Sequence, residues 1–253
     1  MIKVTILGSG TSHGVPMIAC KCDVCTSSDP RNHRTRPSIT VEGPGGTILV
    51  DAGPELRIQA LRCGLAQVDA VLITHTHFDH LFGLDDIRRF NAISGRCMPI
   101  YADPAALEDI RRVYAYAFRE TQEGGGKPSF CLREVPPVMS LCGMEVRAFT
   151  VMHGDLPIQA YRFGDVAYVT DVNRIPEEAM AQLQGLDTLI LDAVRRDPHP
   201  THFGLFEALD VIRDLAPRQA FLTHLSHHME HQAISDELPR GVALAYDGLQ
   251  FSA

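Results

Sequence analysis

The stretch HTHFDH at 75–80 follows directly on the apolar run AVLIT at 70–74, so His75, His77, Asp79 and His80 stand at the end of a strand-like segment. Core packing gives no reason for four ligand-type side chains in six positions. Imidazoles and a carboxylate this close can divide between two divalent ions about 3.5–4 Å apart, as two-metal hydrolysis requires. Further ligand types follow strand-like runs later in the chain: His153 after VRAFTVM, Asp171 after AYVT and His224 after AFLT. Strand ends of one sheet layer converge on one rim, so these segments could bring a third His to one ion, a bridging carboxylate, and a third ligand to the other. Asp51 closes TILVD at 47–51; it reads either as an acceptor that orients a ligand His or as a turn residue before Gly53.

A second cluster lies near the start, where ACKCDVC at 19–25 supplies Cys20, Cys22 and Cys25. Three thiolates suit a soft metal, and a closed structural zinc site needs a fourth ligand. The other cysteines, Cys63, Cys97, Cys131 and Cys142, are scattered. An odd total of 7 with this spacing argues against a disulfide framework, and these four read as buried small hydrophobes.

The 253 residues carry a formal net charge of −8, against a protein that binds long nucleic acid through a basic surface; RNHRTR at 31–36 is only a local basic run. The opening MIKVTILGSG is too short for a signal h-region and cleavage site, and no later stretch is long and apolar enough for a membrane span. A cytoplasmic protein with no membrane partner is expected.

Apolar runs such as KVTILG, MPIYA, VAYVTD, DTLILDA and VALAYDG alternate with helical patterns at 54–64, 84–93, 104–120, 176–184 and 204–216. The chain therefore reads as mixed α/β. No composition shift marks a boundary, so one domain over 1–253 is expected. The linker-like QEGGGKP at 122–128 makes 104–128 either a mobile cover over a cleft or a plain surface loop. PHPTHFGL at 198–205 puts His199 and His202 just before an amphipathic helix, where an imidazole can act as general acid and free N–H groups suit a phosphate oxygen. In the Gly-rich turn GSGTSHGVP at 8–16, His13 is a candidate substrate contact or a loop His beside structural glycines.

The His-x-His-x-Asp-His run, with His153, Asp171 and His224 following in order, resembles the metallo-β-lactamase superfamily. The likeness implies an αββα sandwich, two mixed β-sheets with helices on the outer faces. It further implies His75, His77 and His153 on one metal, Asp79, His80 and His224 on the other, and Asp171 between them. GSGTSHGVP, the cysteine cluster, R-x-R-x-S at 34–38 and THLSHH at 223–228 are most similar to the PhnP-like phosphodiesterases, relatives of tRNase Z. By that resemblance Cys20, Cys22, Cys25 and His227 hold a structural zinc, Asp79 and His202 are catalytic, and the chain is a homodimer. The implied substrate is a small cyclic phosphodiester, such as a ribose 1,2-cyclic phosphate, opened by hydroxide at two divalent ions. Zinc or manganese, and also iron or nickel, suit the N/O ligand set. RNA or cyclic-nucleotide cleavage of the tRNase Z type is the alternative, with a non-hydrolytic metal-binding subunit behind it.

Overall fold

The computed structural model describes residues 2–120 and 126–253. Two 7-stranded mixed sheets lie face to face. The first contains β1 (Lys3–Gly8), β2 (Ser38–Gly43), β3 (Gly46–Val50), β4 (Ala70–Leu72), β5 (Met98–Ala102), β6 (Phe130–Glu134) and β14 (Gln250–Ser252), in the order β14-β1-β2-β3-β4-β5-β6. The second contains β7 (Val138–Leu141), β8 (Met144–His153), β9 (Leu156–Phe163), β10 (Val166–Val169), β11 (Thr188–Asp192), β12 (Gln219–Thr223) and β13 (Val242–Leu244), in the order β13-β12-β11-β10-β9-β8-β7. Strands β3 to β6 run parallel, as do β10 to β13, while the remaining neighbours are antiparallel.

Alternation explains the layers. Ile6, Ile39, Ile48, Val50 and Leu72 of the first sheet meet Val146, Tyr161, Phe163, Tyr168 and Ile190 of the second in a fully buried central layer. Their neighbours in sequence face outward, where Leu49 and Val71 pack against one helical layer and Leu189 and Leu191 against another. The helices are α1 (Leu56–Cys63), α2 (Phe78–Leu81), α3 (Arg88–Ser94), α4 (Pro104–Val113), α5 (Ala115–Phe118), α6 (Glu177–Gln182), α7 (Leu205–Leu215) and α8 (His231–Ser235). Helix α4 has a clean start: Pro104 supplies the first-turn φ and Asp103 accepts the Ala106 N–H at 2.9 Å. This is the expected αββα sandwich.

The segment α4–α5 is fastened to the rim below it. Thr76 donates to Asp109 at 2.8 Å, and the Tyr114 hydroxyl donates to the Leu81 carbonyl at 2.9 Å. Most of the QEGGGKP stretch lies outside the described residues.

The cysteines depart from expectation at one pair. Cys97, just before β5, and Cys131 on the neighbouring parallel strand β6 form a disulfide with Cα atoms 5.8 Å apart. Cys63 and Cys142 are free and half-buried. The separation of 34 residues hid this pairing, which depends on a strand, β6, that its polar end FCLRE disguises.

Candidate metal centre

Strand ends deliver the site. Beyond β4 come His75 and His77; Asp79 and His80 lie on the single turn of α2; His153 ends β8; Asp171 follows β10; His224 follows β12. Asp171 and His224 have φ of 47° and 59°, and Asp51 beyond β3 has 60°. Non-glycine residues at such angles carry local strain, here where the chain leaves the sheet edge and aims a side chain inward.

Ligand atoms of His75, His77, His153 and Asp171 all lie within 4.8 Å of one another, as do those of Asp79, His80, Asp171 and His224. Asp171 belongs to both groups. Its Oδ2 is 3.2 Å from His80 Nε2 and 3.8 Å from His75 Nε2, while its Oδ1 is 3.3 Å from His224 Nε2. His75 Nε2, Asp79 Oδ2 and His224 Nε2 are buried with no hydrogen-bond partner. Buried polar atoms are ordinarily satisfied, so orphans converging on one space fit cations held between them.

Electrostatics favour the ligand-competent forms of both carboxylates and of two of the histidines. Burial would raise Asp79 and Asp171, yet the facing imidazoles, His80 for the first and His224 with His80 for the second, hold both well below the usual carboxylate range. Burial keeps His75 and His153 below the ordinary imidazole value and so neutral. His224 is pushed up to about 9, against burial, by Asp171 and Asp79, so cation binding at this nitrogen displaces a proton.

The ligand rings are fixed from behind. Asp51 Oδ2 accepts from His80 Nδ1 at 2.7 Å and from the Thr74 hydroxyl at 2.9 Å, and its Oδ1 accepts the Thr74 N–H at 2.8 Å. Its orienting reading therefore stands over the turn reading. His153 Nδ1 donates to the Thr201 carbonyl at 2.8 Å. In both rings this leaves Nε2 for the centre.

His202 lies at the same rim. Its ring is 4.7 Å from that of His153 and stacks at 4.7 Å on that of His224, and its Nδ1 donates to Asp192 Oδ2 at 2.7 Å. Asp192 also accepts the Val172 N–H at 2.9 Å. Asp192 was not singled out in the sequence, although it ends TLILD just as Asp51 ends TILVD.

A second, separate cluster joins Cys20, Cys22, Cys25 and His227, again within 4.8 Å. His227 Nδ1 is 3.4 Å from both Cys20 and Cys22 sulfurs. The Cys25 N–H, together with His227, draws the Cys22 thiol down to about 6, a thiolate at neutral pH. This set suits a closed zinc site.

Residues 46–225 match the family model for the beta-lactamase superfamily domain, and that span contains every His and Asp of the two central clusters. The chain belongs to the metallo-β-lactamase superfamily. Within it, a crystal structure described as a new diphosphatase from the PhnP family superposes with a TM-score of 0.92 at 40% identity, covering 99% of this chain and 96% of that one. This is a metallo-β-lactamase-fold hydrolase of the PhnP family. The chain is also 39% identical, over 98% of its length, to an octanoyltransferase of Porphyromonas gingivalis, but spans only 51% of that protein. It is 32% identical to coenzyme PQQ synthesis protein B of Methylorubrum populi, with 76% of this chain and 72% of that one aligned.

Other expectations meet the metallo-β-lactamase site differently. His13 is exposed and belongs to neither ligand cluster. The glycines of its turn serve packing: a Cβ on Gly8 would lie 1.9 Å from the Arg36 carbonyl oxygen and one on Gly10 2.8 Å from that of Arg34. His199 sits 5.1 Å from the His202 ring and accepts from the Thr201 N–H at 3.4 Å, a loop contact. At the start of α7 the Gly204 N–H donates to Glu207 and the Leu205 N–H to the Arg195 carbonyl. Among the described residues no helix is long and apolar enough to cross a membrane.

Proposed function

We propose that the chain is a metal-dependent phosphodiesterase acting on small phosphodiesters, with cyclic ribose phosphates first among them. The observation that carries this reading is the His202–Asp192 pair at the edge of two ligand groups that share Asp171. Two divalent ions bound there supply a water of lowered pKa and neutralise the phosphoryl oxygens. His75, His77 and His153 would hold one, Asp79, His80 and His224 the other, with Asp171 common to both.

The chain's own residues supply the remaining functions. As the new P–O bond forms from water and the P–O bond to the leaving alkoxide breaks, His202 Nε2 delivers its proton to the departing oxygen. Asp192 fixes the ring in the tautomer with Nδ1 protonated. Asp51 keeps His80 aimed, and His153 is held by the Thr201 carbonyl. This chain spans only 51% of the Porphyromonas gingivalis protein, so the acyl transfer named for the whole of that protein lends no support to a transferase reading here.

The PhnP-family relative favours a second reading, in which the bond cleaved is that of a diphosphate. A panel of phosphoribosyl 1,2-cyclic phosphate, 2′,3′-cyclic nucleotides, a nucleoside diphosphate sugar and a tRNA precursor, with metal content measured in parallel, separates the possibilities. Turnover of the cyclic esters supports the first reading and preference for the diphosphate the second. RNA 3′-end cleavage at physiological salt, without activity on the small esters, would overturn both.

A further inference from the structure

The Cys97–Cys131 bridge has a cavity of its own, which shares no lining residue with the metal centre. About 580 Å³ in volume, it is lined by Arg88, Arg89, Arg96, Lys127, Asn91 and Cys97, and by no carboxylate among the described residues. Arg88 and Arg96 pair with Asp85 and Asp69, which lie outside it, and Lys127 donates to the Arg119 carbonyl. Exposed pairs of this kind screen little of the local field, so the cavity stays positive. Both bridged cysteines are half-buried, and Cys97, unlike Cys131, lines the cavity. A disulfide opens when a thiolate attacks one of its sulfurs, at a rate set by which sulfur can be reached. Fixed positive charge around that sulfur gathers anionic attackers.

The bridge is also placed so that its opening would be felt at the metal centre. Strand β6 is an edge strand, paired with β5 alone. The chain between the two cysteines carries α4 and α5, and these hold the ligand run at two points. Asp109 accepts from Thr76, between His75 and His77, and Tyr114 donates to the Leu81 carbonyl, next to His80. Asn91 bonds to Ser129 through both its amide groups and keeps the near end of β6 in place. Opening the bridge therefore loosens α4–α5 without releasing it.

We propose that the cationic cavity receives a small anionic thiol of the glutathione class, that Cys97 is the sulfur it attacks, and that the bridge sets how firmly α4–α5 holds the metal-ligand run. The incoming thiolate forms an S–S bond to Cys97 Sγ as the Cys97–Cys131 bond breaks. The electron pair leaves on Cys131, whose thiolate takes a proton from water. A second thiolate then attacks the sulfur of the first thiol and frees Cys97, so that two small thiols are oxidised to their own disulfide and the cysteine pair is reduced.

The docking claim is tested by opening the bridge with glutathione and with neutral 2-mercaptoethanol at equal thiolate concentration, each rate divided by that thiol's rate on hydroxyethyl disulfide. Glutathione should gain about tenfold on the protein at low salt and lose the gain as salt rises. Arg89→Gln/Arg96→Gln, changed at two exposed positions, should lack the gain. With glutathione disulfide as probe, Cys97 in Cys131→Ser should take up glutathione about tenfold faster than Cys131 in Cys97→Ser, read by peptide mass spectrometry. Equal normalised rates, a gain that survives the arginine double variant, or faster uptake on Cys131 would overturn the site.

The link to the metal centre is tested on manganese-loaded protein, wild type with the bridge closed against Cys97→Ser/Cys131→Ser. The variant should give up manganese to a graded chelator about fivefold more readily. Its amide hydrogen exchange should quicken in α4–α5 and the HTHFDH run ahead of the second sheet. Unchanged manganese retention, or exchange that quickens evenly over both sheets, would leave the bridge a plain brace and overturn the link.

Discussion

At the residue scale, two carboxylates that touch histidines have separable jobs. On the proposed reading Asp192 acts through His202, to which it is hydrogen-bonded at 2.7 Å, so Asp192→Asn should lower kcat by on the order of 10²–10⁴ with little change in KM. The effect should depend on the leaving group: p-nitrophenolate departs without a proton, so His202→Ala should lose far less on bis(p-nitrophenyl) phosphate than on an alkyl ester. Equal losses on both would remove His202 from the acid role. Asp51 acts through His80, and Asp51→Ala should weaken metal retention about 10–100-fold, read by dialysis against a graded chelator. HTHFDH could be read from sequence because a strand end and one helical turn place all four ligands locally. Asp192 could not, since its partner His202 is brought to it only by the fold.

At the element scale, the short Cys20–Cys25 loop, the end of β12 and the R-x-R stretch form one brace. Arg34, fully buried, donates to the carbonyls of Ser226 at 3.0 Å and Met229 at 2.7 Å, on either side of His227. Thr11 N–H donates to the Leu225 carbonyl, next to His224. Removing zinc by Cys22→Ser should therefore lower turnover as well as metal content, and loss of one zinc equivalent with unchanged turnover would end the bracing role. On the opposite edge the Cys97–Cys131 bridge closes a loop of 34 residues that holds α4 and α5. Chain entropy assigns such a closure about 3–4 kcal/mol, so the double serine variant should lose about that much unfolding free energy, read as a lower urea midpoint. Strands β1, β5 and β11 were legible as apolar runs. Strand β9, which reads LPIQAYRF, was not, because Pro157, Gln159 and Arg162 break the pattern while Ile158, Ala160, Tyr161 and Phe163 still fill the core.

At the scale of the whole molecule, the centre draws on both sheets: His75, His77, Asp79 and His80 come from the first, His153, Asp171 and His224 from the second. The sheets also meet directly there, where the Tyr161 hydroxyl donates to the Ile73 carbonyl at 2.7 Å and Gln159 N–H to that of Thr74 at 3.0 Å. Binding cations should raise the unfolding midpoint in proportion to the logarithm of free metal. Acid acts through a separate buried group. Burial, with Arg31 and Arg34 nearby, pushes His231 down to about 4. An imidazole of the unfolded chain titrates near 6.5, so its contribution is intact above about pH 6.5 and is lost as pH falls toward 4. Discounted for the solvent on the Arg31 side, that loss is about 2 kcal/mol, and His231→Gln should flatten the fall in urea midpoint between those pH values by this amount. The superfamily fold was legible from one ligand run, whereas the disulfide arises from a register that only the assembled sheet establishes.

The most direct measurement is turnover of bis(p-nitrophenyl) phosphate by the wild type and by Asp79→Ala, as isolated, after chelation and after reloading with zinc or manganese, with bound metal counted at each stage. Turnover that disappears with the ions of the His/Asp centre, returns on reloading, and is abolished in a folded Asp79→Ala protein is the expected result. Turnover that persists after those ions are gone, or that Asp79→Ala leaves intact, would contradict a metal-dependent phosphodiesterase at this site.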